Sequence, residues 1–204
     1  MIWYFYTANQ DVPLRHLPYY GPKFVDAKND STYHEIKSFR FVNQYNEIIT
    51  LDSLNHKIVV TEFFFTTCQS ICPIMNSNLQ KVYKTFADRK DVLILSHTVD
   101  PEQDSVPVLK VYAGLQGVRD RRWQFVTGPK KELYEAARKS YLLNAEEGDG
   151  GDEDFIHTQN FALIDKNKHI RGYYDGTDSV EINRLITDLR LLIQEDEFNE
   201  ISKH

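Results

Sequence analysis

Long apolar runs alternate with segments of helical spacing, and their order predicts the centre of the fold. Residues 58–65 and 92–95 are apolar almost throughout, which indicates central strands that are covered on both faces. Apolar residues recur at helical spacing over 75–86, and a second helix is predicted between Pro107 and Gly117. This β-α-β-α order is typical of a sheet whose core strands run largely parallel.

The segments around this unit predict a hairpin before it and a β-β-α unit at the end. In chain order they are strands 39–41 and 48–51 with a turn at 45–47, strand 123–126, helix 133–141, strands 161–164 and 170–174, and a last helix capped by Asp178. A strand that leads into a cysteine pair at a helix start, with a terminal β-β-α unit, is the thioredoxin-like pattern. We therefore predict an α/β protein with a thioredoxin-like fold, an N-terminal β-hairpin and a central, mostly parallel sheet flanked by helices.

Three parts of the chain differ in pattern. Residues 1–33 contain three prolines and few periodic apolar positions, which predicts an extended arm. Residues 34–197 form the predicted domain, and residues 198–204 a C-terminal tail. The apolar residues 1–6 fall far short of the ~20 that span a membrane, and they lack the basic region and cleavage site of a signal peptide. They suit an exposed terminus, or the remnant that follows a removed membrane anchor.

Composition and charge exclude some classes of function. The 204-residue chain is 41% hydrophobic and 13% aromatic, which is enough for one domain with a real core. Its net charge is −6 and it has no basic run, so nucleic-acid binding, which needs clustered Lys and Arg, is not expected. It has only two cysteines, whereas a disulfide scaffold uses more of them, spread along the chain.

The two cysteines, Cys68 and Cys72, lie between the first buried strand and the helix that follows it. Side chains four apart in a helical turn are ~5–6 Å apart at Cβ, so the two sulfurs can share one ion or, after a modest adjustment, form a disulfide. A helix start offers free N–H groups and partial positive charge, which favour thiolates. Two thiolates suit Cu(I) or zinc, and one imidazole completes a trigonal copper site. The alternative is a structural disulfide or a pair of inert buried thiols.

Among the seven histidines, His157 is the candidate third ligand. Thioredoxins place a proline before the third core strand, facing the cysteines; here the corresponding segment, 154–160, has no proline and contains His157. His97 ends the second buried strand, and we expect it to have a hydrogen-bonding role rather than to bind metal. The other histidines fall in predicted loops, turns or termini. The acidic segment 146–154 lacks the ligand spacing of a calcium loop, which predicts a solvated loop.

Four motifs of the chain form a specific set when they are taken together. In chain order they are Phe65-Thr66-Thr67-Cys68 through Cys72-Pro73, Thr98-Val99-Asp100-Pro101-Glu102 with Asp104, Val108-Leu109-Lys110 with Tyr112-Ala113, and His157-Thr158 before residues 161–165. Together they resemble the Sco/SenC family of copper proteins for cytochrome c oxidase assembly. The resemblance covers residues 17–192. The chain departs from it at 69–71, where members often have proline and an acidic residue, and at Ile156, where many have Asp.

The resemblance implies that Cys68, Cys72 and His157 bind a copper ion, either Cu(I) or Cu(II). It also implies an N-terminal anchor in the inner membrane and a domain on the extracytoplasmic, periplasmic side. The expected partner is the dinuclear copper domain of cytochrome c oxidase subunit two, with other copper chaperones as further partners. The chain would then deliver copper rather than act as a turnover enzyme.

Three other functions are weighed against copper delivery. The first is a thiol-disulfide reductase, with Cys68 and Cys72 as redox thiols that keep a partner's copper-binding cysteines reduced. The second is a peroxidase, which shares the fold but needs a lone reactive cysteine with Trp and Gln partners, and these are not evident. The third is a non-metal interaction domain with a structural disulfide.

Overall fold

A mixed β-sheet forms the centre of the computed structural model, which describes residues 16–25, 31–143 and 158–201. The strands are β1 Lys23–Val25, β2 Ser31–Tyr33, β3 Arg40–Asn43, β4 Ile48–Thr50, β5 Ile58–Phe64, β6 Val92–Thr98, β7 Trp123–Thr127, β8 Asn160–Ile164 and β9 Ile170–Asp175. Within the described ranges, seven strands form one sheet in the order β4-β3-β7-β6-β5-β8-β9. Strands β1 and β2 pair in a separate small sheet.

Helices flank the sheet and divide its apolar side chains between two cores. They are α1 Cys72–Thr85, α2 Val106–Leu115, α3 Lys130–Glu135 and α4 Ser179–Ile201. All seven residues of β5 and all seven of β6 are buried, which explains why their sequences do not alternate. Val60 and Phe64 face the core that contains α1, α2 and α4, whereas Val59 and Phe63 face the core that contains α3 and the β3–β4 hairpin. No helix in the described ranges is both long and apolar enough to cross a membrane.

The predicted N-terminal hairpin is confirmed as β3 and β4, which pair antiparallel with Phe41 opposite Ile49. Its turn is built by Asn43, whose side-chain oxygen accepts hydrogen bonds from the N–H groups of Tyr45 and Glu47, both at 2.9 Å. Asn46 has a φ of 61°, a left-handed conformation that asparagine tolerates better than most residues. The hairpin joins the main sheet through β3 and β7.

The thioredoxin-like fold class is confirmed, but the sheet is less parallel than the sequence predicts. Only β5–β6 and β6–β7 pair in parallel, and the other pairs of the seven-stranded sheet are antiparallel. Strands β8 and β9 are antiparallel because a short turn, in which Lys168 has a φ of 71°, joins them directly. A connection of a few residues cannot return the chain for parallel pairing.

The segment that precedes the domain is tied to β9 and α4 by a buried guanidinium group. Arg171 forms ion pairs with Asp165 and Glu195, at 3.0 and 3.1 Å, and donates to the carbonyl oxygens of Leu17 and Pro18, at 2.6 and 3.2 Å. The predicted extended arm is therefore docked on the domain at this point, and it also contains the β1–β2 pair. At the other end of the chain, α4 continues to residue 201, into the predicted tail.

Candidate thiol and metal site

The two cysteines lie at the junction between the central strand β5 and helix α1. After β5 the chain turns, and the N–H of Cys68 donates to the carbonyl oxygen of Phe65 at 3.2 Å. Cys72 is the first residue of α1 and Pro73 the second, a position where the missing N–H of proline costs no helical hydrogen bond. The strand-to-helix position is thus confirmed, but Cys68 lies in the turn before α1 and does not share a helical turn with Cys72.

Cys68 is the accessible thiol of the pair and is half-buried. Burial alone would raise its pKa, but the thiol of Cys72 and the backbone N–H groups of Cys72 and Ser70 donate hydrogen bonds to its sulfur. The Ser70 hydroxyl is also close, with Oγ 3.7 Å from the Cys68 sulfur. Because donors stabilise a thiolate, the pKa of Cys68 lies below its ordinary value.

Cys72 is the buried thiol and is 4% exposed. Burial, its hydrogen bond to Cys68 and the negative charges of Cys68 and Glu62 together raise its pKa to about 12. The expectation that the helix start favours two thiolates is therefore wrong for Cys72, and the lowered pKa of Cys68 comes from the hydrogen-bond donors around its sulfur. Cys72 remains a protonated donor until a metal ion or an oxidation replaces its proton.

A fully buried carboxyl group, Glu62, lies in the same core as Cys72. The Ser96 hydroxyl donates to Glu62 Oε1 at 2.7 Å and in turn accepts from Trp123 Nε1 at 2.9 Å. Glu62 Oε2 has no hydrogen-bond partner among the described residues. Burial raises the pKa of Glu62 to about 8, against the opposing hydrogen bond from Ser96, so the group is neutral at pH 7.

A second buried carboxylate, Asp104, connects the loop after β6 to the cysteine turn. It accepts hydrogen bonds from the backbone N–H of Thr66 at 3.2 Å, from the Thr66 hydroxyl, and from the Thr98 hydroxyl at 2.5 Å. Its own N–H donates to the carbonyl oxygen of Asp100 at 2.8 Å. Asp104 is fully buried, the bond from Thr98 is buried with it, and the bonds from Thr66 are partly buried. Burial raises the pKa of Asp104, and the hydrogen bonds from Thr66 and Thr98 oppose that rise.

His97 belongs to the core on the other face of the sheet. Its Nδ1 lies 3.1 Å from Thr61 Oγ1 and its Nε2 lies 3.3 Å from the hydroxyl of Tyr141. The ring of Phe63 stacks on it at a centroid distance of 4.8 Å. Burial lowers the pKa of His97 to about 3, so it stays neutral. The expected hydrogen-bonding role is confirmed.

His157 lies outside the described residues, as do Ile156 and the acidic segment 146–154. Within the part of the chain that the structure describes, no group of three or more His, Cys, Asp and Glu side chains is arranged to hold a metal ion. The structure therefore brings Cys68 and Cys72 together, and the role of His157 stays a prediction.

Sequence reasoning found the thiols but assigned no role to Glu62 or Asp104. Glu62 is the only charged residue in the apolar run 58–65, and an ionisable group in a fully buried strand is a signal that something must satisfy it. Asp104 is recognisable only as part of a motif, because its partner Thr66 is 38 residues away.

Comparisons with known proteins agree with the fold and identify the family. The model of the SCO1/SenC family matches residues 27–194. The SCO1 protein homolog of Bacillus subtilis (strain 168) is 31% identical over 163 residues, which cover 79% of this chain and 84% of that protein.

Two solved structures extend the comparison. BsSco, described as a member of the Sco family of cytochrome c oxidase assembly proteins with a disulfide switch, superposes with a TM-score of 0.66 at 30% identity, covering 78% of this chain and 93% of that chain. ScoI of Bradyrhizobium japonicum, solved with copper bound, superposes with a TM-score of 0.58 at 23% identity, covering 78% and 99% of the two chains. The second likeness is one of fold alone.

Proposed function

Since this chain belongs to the SCO1/SenC family, we propose that it binds copper through Cys68, Cys72 and His157 and delivers the ion during cytochrome c oxidase assembly. The observation that carries the proposal is the pair of thiols at the end of β5, one accessible and one buried. The proposed recipient is the dinuclear copper domain of oxidase subunit two, with other copper chaperones as further partners. The proposed location is the periplasmic side of an inner membrane, on an anchor.

The donor set supports copper as the cargo. Thiolate sulfurs are soft ligands that favour Cu(I), and one imidazole would complete a three-coordinate set. We expect an incoming copper ion to meet Cys68 before Cys72, because Cys68 is the more exposed thiol and its lowered pKa favours the thiolate. Cys72 must lose its proton as the ion enters, so loading releases at least one proton to solvent.

The sheet topology supports His157 as the third donor. Strand β8 is antiparallel to β5, with Thr61 opposite Ala162. The beginning of β8 therefore lies beside the end of β5, which is the edge from which the cysteine turn leaves. Thr158, two residues before the start of β8, is buried at this edge. His157, the preceding residue in the chain, is on this basis our proposed ligand.

Metal analysis of the reduced protein tests the copper proposal. After loading with Cu(I) and gel filtration, we expect about one copper per wild-type chain, and loss of copper from Cys68→Ala, Cys72→Ala and His157→Ala. A matched control is His56→Asn, because His56 is exposed and has a φ of 61° that asparagine tolerates. Equal copper in the wild type and His157→Ala would remove His157 from the ligand set, and a copper-free wild type would end the proposal.

A thiol-disulfide reductase is the second candidate, because the two thiols differ in the way such chemistry requires. Cys68 has the properties of an attacking thiol, and Cys72 is a protonated neighbour within hydrogen-bonding reach. In the reaction, the Cys68 sulfur attacks a partner disulfide and Cys72 then displaces the second partner thiol. The chain ends as a disulfide and the partner as a dithiol.

The two candidate functions are separated by the rate at which this protein reduces the disulfide-bonded copper domain of oxidase subunit two. A reductase requires both cysteines but tolerates His157→Ala, whereas copper delivery requires all three residues. Loss of the reduction rate in His157→Ala would count against the reductase, and a rate in Cys68→Ala equal to that of the wild type would exclude it.

A further inference from the structure

Asp104 is a buried carboxylate whose partners come from two different segments of the chain. Thr66 lies in the turn between β5 and the cysteines, and Thr98 is the last residue of β6. Both hydroxyl groups and the Thr66 N–H donate to the same carboxylate. Thr98 Oγ1 also accepts from the N–H of Asp100 at 2.9 Å, which fixes the direction in which its hydroxyl donates.

This arrangement holds the turn that presents Cys68. Thr66 is two residues before Cys68, and the turn is closed by the hydrogen bond from the Cys68 N–H to Phe65. The residues from 66 to 70 are half-buried or exposed, so apolar packing constrains this turn less than it constrains β5. Hydrogen bonds to a carboxylate are charge-assisted and stronger than neutral ones, so this set, anchored on the fully buried Asp104, supplies the missing constraint.

We propose that Asp104 is the positioning residue of the thiol site, acting through Thr66 to keep the Cys68 sulfur next to that of Cys72. This inference rests on the proposed function, because binding one copper ion and forming a disulfide both require the two sulfurs to lie close together. Asp104 itself touches neither sulfur in the contacts described. Its effect is to reduce the conformational freedom of the turn, which raises the effective concentration of one thiol at the other.

The thiol–disulfide equilibrium with glutathione measures this effect without copper. One oxidised glutathione takes two electrons and two protons from Cys68 and Cys72 and becomes two reduced glutathiones, while the protein forms one disulfide. We expect Asp104→Asn to lower the equilibrium constant by about tenfold, because a released turn lowers the effective concentration of the thiols.

Two substitutions at Thr66 keep the test decisive if Asp104→Asn does not fold. Thr66→Val keeps the side-chain volume and the backbone N–H but loses the hydroxyl donor, so we expect a decrease in the same direction. Thr66→Ser keeps the donor, and we expect it to stay within about twofold of the wild type. An equilibrium constant for Thr66→Val that equals the wild-type value would overturn the proposal, and so would a wild-type value for a folded Asp104→Asn.

A buried aspartate elsewhere separates positioning from a general loss of stability. Asp188 in α4 is also buried and accepts a hydrogen bond from a hydroxyl, that of Tyr174, at 2.9 Å. We expect Asp188→Asn to lower the free energy of unfolding but to leave the equilibrium constant with glutathione within about twofold of the wild-type value. If Asp188→Asn and Asp104→Asn lowered that equilibrium constant equally, the proposal would be overturned. If the wild type binds no copper while the glutathione equilibrium constants of the variants change as expected, the proposal of copper delivery fails and the proposal that Asp104 positions Cys68 stands.

Discussion

Replacing Glu62 with glutamine would remove a carboxyl group that lies fully buried in the core around Cys72. Glutamine has nearly the same volume, and its amide oxygen can still accept from Ser96, which donates to Glu62 at 2.7 Å. The variant therefore resembles the protonated form of Glu62 but cannot ionise. It isolates the free energy that the wild type loses when this group must release its proton.

The magnitude follows from the difference between the folded and unfolded pKa. The ordinary pKa is 4.5, and burial raises it to about 8 in the folded protein. Below pH 4.5 Glu62 is protonated in both the folded and the unfolded chain, and its stabilising contribution is fully present. As the pH rises from 4.5 to about 8, only the unfolded chain releases the proton easily, so the free energy of unfolding falls and this contribution is lost. At ~1.4 kcal/mol for each pH unit, the loss by pH 7 is about 3 kcal/mol.

Urea unfolding of both proteins from pH 5 to pH 9, followed by circular dichroism with reductant and a metal chelator, measures this loss. We expect the unfolding free energy of the wild type to fall relative to that of Glu62→Gln by about 1.4 kcal/mol per pH unit up to pH 8, and to level off beyond it. Cys72 begins to contribute only near pH 9, where its thiol starts to ionise in the unfolded chain, because its ordinary pKa is 9.0 and its pKa in the folded protein is about 12.

The control is Glu135→Gln, because Glu135 is an exposed carboxylate that pairs with Lys139 on the surface. Its curve should run parallel to that of the wild type across the whole range. Parallel curves for Glu62→Gln and the wild type would refute the reasoning, since Glu62 would then ionise as easily in the folded protein as in the unfolded chain.

Three further predictions concern the scaffold and the thiols. Arg171→Met should cost about 3–5 kcal/mol in urea unfolding, because it leaves two buried carboxylates without their cation; a loss below about 1 kcal/mol would contradict this. Gly172→Ala should cost about 1–3 kcal/mol in the same assay, because the new Cβ overlaps the buried Tyr174 ring, whereas Gly114→Ala, with open space around it, should cost nothing; equal costs would count against the overlap. Iodoacetamide at pH 7.5 should label Cys68 before the other thiol in mass spectrometry, since Cys68 is more exposed and its pKa is lowered; the reverse order would be incompatible with this site.

The sequence predicted those parts of the fold in which apolar residues recur with a clear period. Strands β5 and β6 were recognisable because each is buried on both faces, and the β3–β4 hairpin because its strands flank a turn centred on Asn46. The β1–β2 pair was missed because its strands are almost wholly exposed and leave no apolar pattern. The parallel share of the sheet was overestimated because the antiparallel pairs β3–β7 and β5–β8 join strands that are far apart in the chain and leave no local signal in the sequence.

The candidate site was predictable in its residues but not in its chemistry. Cys68 and Cys72 were evident from their place between a strand and a helix. Their opposite pKa shifts depend on which sulfur is buried and which accepts hydrogen bonds, and neither property can be read from spacing. The bond between Asp104 and Thr66 joins residues far apart in the chain, so only the folded protein shows it.

The division of β5 between two cores has a practical consequence for following this protein in solution. Phe63 and Phe64 are neighbours in the chain, but their rings lie on opposite faces of the sheet, the first beside His97 and the second beside Tyr112. A fluorine label on Phe63 would report on the scaffold, whereas one on Phe64 would report on the side that holds the thiols. Two probes at adjacent positions would thus show whether the site rearranges while the rest of the molecule stays unchanged.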